Sequence, residues 1–230
     1  MSLPSTESES KPPFKSRWAA ATNGDLQSLK ELAVSCQSPV YAWLRASGAS
    51  PEEASLRTEH FLARLHTEEP PHDEEKAMPR FNDFLIQRLI AWAKAGFPTA
   101  GTHAITSIDR ARAEKHFKHE PARPPDEVFS RRWSLMIVER TLEMLRGEFA
   151  ARGEGAQFPH LASFLGFNGG GEEKYAEVGP KLGMSVSVLH LAVYNFRRRY
   201  REVLRTLIAD TVRTEDDLDS ELTLLLCAAG

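Results

Sequence analysis

Cysteine is scarce in this chain: Cys36 and Cys227 are the only two in 230 residues. A disulfide-dense secreted module is thereby excluded, and reduced thiols in a cytoplasmic setting are the default. No apolar run is long enough to span a bilayer, so no membrane partner is expected. The Ser/Glu/Pro-rich residues 1–16 lack the apolar stretch of a secretory signal and read as a disordered lead-in. Sustained apolar/polar alternation is missing, and so is any internal repeat, which leaves no case for a sheet or a solenoid. Charge of one sign is also in short supply. Twenty-nine Lys+Arg against thirty-two Asp+Glu give a net charge of -3. That excludes a uniformly basic coat for nucleic acid and leaves room for a local basic face.

The patterns that carry chemistry are thin as well. Three glycines at 169–171 lack a following Lys-Ser/Thr, so they do not form a phosphate loop. Glu172 and Glu173 beside them suit the start of the next helix better than acid–base work. His116 and His119 stand three apart with no Cys or carboxylate at ligand spacing, so no metal is expected. No nucleophile–base pair emerges, and neither an enzymatic activity nor a cofactor is expected.

Helical periodicity is abundant, and it predicts an all-α protein. Thr22 or Asn23 is expected to cap a helix through about residue 35, and Ser38-Pro39 to restart one that Gly48 ends. Ser50, Pro51, Glu52 and Glu53 read as a capping box, followed by Ala54, Phe61, Leu62 and Leu65 at helical spacing. Pro79 opens a helix carrying Phe81, Phe84, Leu85, Leu89 and Trp92. Residues 96–125 are Pro-punctuated and charged, and read as a flexible linker. Beyond it, Leu135, Val138, Leu142, Leu145 and Phe149 alternate spacings of three and four. A long last helix is expected to hold Val186, Leu189, Val193, Phe196, Tyr200, Val203 and Leu207 in one stripe, before a final piece with Leu218, Leu222 and Leu225. The expected organisation is two small helical bundles, 17–95 and 126–230, joined by the linker.

Residues 175–200 have the layout of a helix-turn-helix. Gly179 stands where two helices cross closely, Gly183 sits in the turn, and Ser185 caps the second helix. An ordinary bundle corner shares part of this spacing. Arg197, Arg198, Arg199, Arg201 and Arg205 crowd that helix with Glu202 as the sole acid, and like charges four apart repel. A face that accepts such repulsion is suited to phosphates.

Residues 175–185, then Ala192-Val193, then residues 197–204 resemble the C-terminal DNA-binding region of bacterial RNA polymerase sigma factors. The likeness is to the extracytoplasmic-function type, in the long variant with an extra C-terminal helix. Arg131, Arg132 and Trp133 resemble the first helix of that region, and residues 217–226 the tail helix. Upstream, residues 41–45, 50–54, 61–65, Arg80-Phe81 and Phe84-Leu85 resemble the polymerase-binding and promoter-melting region. The resemblance implies a helix-turn-helix whose Ser185, Ser187, Val188, His190, Leu191 and Asn195 face base edges of double-stranded promoter DNA, with Arg197, Arg198 and Arg201 on the backbone. It implies core RNA polymerase as partner, contacted through the helix of Arg57, Glu59, Phe61 and Arg64, and an anti-sigma or regulatory protein as a further one. Leu56-Arg57-Thr58-Glu59 stands where the family has Asp-Leu-x-Gln, and the stretch 90–98 is nearly uncharged where the family is basic and polar. The alternative expectation is therefore a sigma-like protein that binds DNA or a partner without initiating transcription.

Overall fold

A computed structural model describes residues 14–67, 78–98, 108–165 and 173–229. Within them the chain is all-α. The helices are α1 (Arg17–Thr22), α2 (Leu26–Val34), α3 (Gln37–Ala46), α4 (Pro51–Thr67), α5 (Phe81–Lys94), α6 (Arg110–Lys118), α7 (Pro125–Ala151), α8 (Phe158–Ala162), α9 (Glu173–Lys181), α10 (Val186–Ala209) and α11 (Glu215–Ala229). One helical turn of 3₁₀ type, Ser163–Leu165, extends α8. None of these helices is long and apolar enough to cross a membrane. The glycine run at 169–171 and Glu172 lie outside the described residues.

Local chemistry sets the helix boundaries. The carboxylate of Asp25 accepts from the amides of Gln27 and Ser28 and starts α2. This displaces the cap expected at Thr22 or Asn23: those residues end α1, a short separate helix begun by the Ser16 hydroxyl. The capping box before α4 forms as expected, with the Ser50 amide donating to Glu53 at 2.8 Å and the Glu53 amide donating to the Ser50 hydroxyl at 3.2 Å. Pro125 opens α7 without losing a donor, because the first helical position has no acceptor to offer.

The residues 96–125 are not uniformly linker. Residues 110–118 form α6, begun by the Asp109 carboxylate on the Arg112 amide. Its apolar content is low, so periodicity gives no sign of it. Polar contacts across the fold hold it instead. Glu114 accepts from the Tyr41 hydroxyl at 2.6 Å and from Arg45 at 3.0 Å. Arg132 is buried on α7 among Glu120, Glu139, His116 and Ser38.

The long helix α7 joins the parts that the sequence divides. It packs on α3 through its first half and on α10 and α11 as well. Trp133 stacks with Phe129 and tilts against Phe81, with ring centroids 6.4 and 6.1 Å apart. One apolar cluster therefore runs from Trp18 to Leu225. The expected stripes of α4 and α5 are buried within it, while Val186 at the head of α10 is exposed.

The turn between α10 and α11 is clamped from the N-terminal side. The Trp18 amide donates to the Asp210 carbonyl at 2.9 Å, the Phe81 amide to Thr211 at 2.8 Å, and the Arg213 amide to Pro79 at 2.8 Å. Arg80 and Val212 thereby form a single antiparallel bridge. Just beyond, the carboxylate of Glu221 is buried between Arg80, Asn82 and the Trp133 indole, and burial raises its pKa above the usual carboxylate range.

Candidate nucleic-acid interface

Helices α9 and α10 meet through a four-residue turn, 182–185. Gly183 takes φ +63°, a left-handed conformation that costs a residue with Cβ about 1 kcal/mol or more. Gly179 is buried against the same turn. Its carbonyl accepts from the Met184 amide at 2.9 Å, and a Cβ on it would lie 2.9 Å from the Met184 carbonyl oxygen. Pro180 is tolerated one residue before the end of α9. Val178, Leu189 and Val193 are buried beneath the turn, and Leu182 is half-buried beside them.

The opposite face of α10 points to solvent. Ser187, Leu191, Tyr194, Arg198, Arg201 and Arg205 follow one another at spacings of four and three, so they form one continuous stripe. Leu191 and Tyr194 are each 60% exposed, the largest values among the exposed large apolar side chains. Val188 and Asn195 flank them, both exposed.

The structure separates the expected DNA-facing residues into two groups. Ser187, Val188, Leu191, Asn195, Arg198 and Arg201 stand free of the core. Arg198 has only a solvent-exposed contact with Glu202 at 3.6 Å, the kind of pair worth little in water. The Arg201 side chain has no hydrogen-bond or ion-pair partner among the described residues. The others are engaged. Ser185 spends its hydroxyl on the Val188 amide, 3.3 Å away. The imidazole of His190 stacks on Tyr175, with centroids 3.9 Å apart and planes 14° from parallel. Arg197 donates twice to the Phe164 carbonyl, at 3.1 and 2.6 Å, which pins α8 to α10. Arg199 is bound by Glu148 and Glu202, and Arg205 by Asp219 of α11. The crowding of arginines is thus relieved by Glu148 and Asp219 from other helices, by Glu202 on α10 itself and by the Phe164 carbonyl. Tyr194 is the surface residue that the sequence reading missed. Its exposure follows from the stripe once Leu189, Val193 and Phe196 are fixed as core.

The residues expected to meet polymerase are placed differently. Phe61 is 2% exposed and tilts against Trp92, so it belongs to the core and offers no outward contact. Arg57 reaches back to Glu53 and lies over the Phe97 ring at 4.2 Å. Glu59 accepts from the Ile108 amide at 3.1 Å, which fastens the chain leading into α6. Arg64 borders a shallow pocket with Trp92 and Arg88. Leu56, standing among them, is 53% exposed. Trp92 is core, its indole N–H donating to the Pro98 carbonyl.

An open cavity of another kind, about 330 Å³, lies between α2, α3, α6 and α7. Arg112 crosses it to Glu143 at 3.1 Å, and His116, Glu139 and Arg140 line it. Burial lowers the His116 pKa, which favours the neutral ring where it meets Arg132. Acids and bases are interspersed there, so the cavity has no dominant charge for an ionic ligand. Among the described residues no three His, Cys, Asp or Glu side chains converge as a metal site requires. No protein family, curated protein or solved structure matches the chain.

Proposed function

We propose that the chain binds double-stranded DNA through α10 and acts as a promoter-recognition subunit of the sigma type. The observation that carries this reading is the stripe on α10. It sets exposed side chains that suit base edges next to the guanidiniums of Arg198 and Arg201, on a helix held at a fixed angle by the Gly179–Met184 contact. No chemistry on a substrate is needed for such a role, and no cofactor.

A second reading is favoured by a separate observation. Arg57, Glu59 and Phe61 are all spent on contacts within the fold. A protein that binds DNA without initiating transcription needs none of them at its surface. Purified chain is mixed with core RNA polymerase and genomic promoter fragments. Run-off transcripts support the sigma reading. Retained DNA without transcripts supports the second reading, and failure to retain any duplex refutes both.

A further inference from the structure

We infer that the stripe on α10 reads thymine, through the C5-methyl groups of a T-rich duplex segment, with Leu191 and Tyr194 as the specificity-determining side chains. This rests on the DNA-binding reading above and goes beyond it by naming the feature read. Among the base-edge groups of the major groove, the thymine methyl is the apolar one; every other distinguishing group is a hydrogen-bond donor or acceptor. Three polar candidates on this helix are committed, Ser185 to its cap, His190 to Tyr175 and Arg197 to Phe164, while Ser187 and Asn195 stay exposed. The large side chains that α10 presents at the groove end are Leu191 and Tyr194 at 60% exposure with Val188 at 53%.

Charge and length say why the occupant is DNA and not another apolar surface. Arg198 and Arg201 lie seven and ten residues beyond Leu191 on the same stripe. At 1.5 Å per residue that is about 10 and 15 Å along the axis. The major groove is about 12 Å wide. With Leu191 at the groove floor, both guanidiniums reach the phosphate rim. The acids that could oppose a phosphate there are few: Glu148 is bound to Arg199, Asp219 to Arg205, and Glu202 lies between Arg198 and Arg199.

The test uses the full chain and a random-sequence duplex library. Duplexes enriched by binding are resynthesised with deoxyuridine in place of thymidine, which removes only the methyl groups. Each lost methyl contact should weaken binding about fourfold, so two should weaken it more than tenfold. Leu191→Ala and Tyr194→Ala should bind the thymidine duplex more weakly and discriminate less between the two forms. Both side chains are exposed, and an unchanged circular-dichroism spectrum checks that the variants fold. Equal affinity of the wild type for both duplexes overturns the inference and leaves DNA binding standing. Enrichment of no duplex overturns the DNA-binding reading and this inference together. Self-association in sedimentation that Leu191→Ala abolishes would then assign the face to a second copy of the chain.

Discussion

Cys36 illustrates how a single side chain is governed by its surroundings. Its thiol is fully buried and donates to the Leu32 carbonyl at 3.1 Å. Burial pushes its pKa up to about 12, so at neutral pH it holds its proton and is a poor nucleophile. Iodoacetamide should therefore leave Cys36 unlabelled in the folded protein and modify it in urea, as read by mass spectrometry of its peptide. Glu114 is perturbed in the other direction. The Arg45 guanidinium, then the Tyr41 hydroxyl, hold its carboxyl below the ordinary value of 4.5. A lowered carboxyl contributes stability above 4.5 and loses it as the pH falls through the folded value. Glu114→Gln should therefore melt several degrees below the wild type at pH 7, and the two curves should converge as the pH drops below 4.5. Arg198→Ala and Arg201→Ala should each lower the salt slope of duplex binding by about one unit. Arg199→Ala should not, because Glu148 and Glu202 occupy that guanidinium. The apolar residues of the core were legible in the sequence because their spacing is local. The partners of the arginines were not. Arg197 turns to a carbonyl 33 residues away and Arg199 to a carboxylate 51 residues away, and no spacing rule reaches that far.

At the scale of elements, the α9–α10 hairpin is the most tightly specified joint. Gly179→Ala places a methyl 2.9 Å from a backbone oxygen that cannot rotate aside. Overpacking of this kind costs about 1–3 kcal/mol. In urea unfolding, Gly179→Ala should lower the midpoint, and it should weaken duplex binding more than its loss of stability explains, since the angle of α10 changes. Ala at Gly155, where the nearest contact is an ordinary 3.8 Å, is the control and should be nearly neutral. The capping box of α4 and the turn glycines were readable from sequence because each is a rule about three or four neighbours. Helix α6 was not readable. Its residues, Arg110–Lys118, carry almost no apolar periodicity, and Tyr41 and Arg45 fasten it from a helix far back in the chain and Arg132 from the next one.

The whole molecule is held together by α7. Because Trp133 touches Phe81, Phe129 and Glu221 at once, neither end of the chain keeps its core if this helix shifts. Calorimetry should accordingly show one unfolding transition, and two well-separated transitions would contradict the shared core. Trp133→Ala should destabilise by about 3–5 kcal/mol and keep that single transition. The clamp on the turn after α10 has a further consequence, one of timing. The Ser16 hydroxyl donates to the carbonyls of Asp210 and Val212, partners 194 and 196 residues away. A ribosome adding about 5–20 residues per second needs about 10–40 s to cover that span. Trp18 is made at the start of that interval and Phe81 about a third of the way through it, and both then wait for the turn that their amides bind. The nascent chain thus holds its N-terminal aromatic residues without this clamp until the turn after α10 emerges.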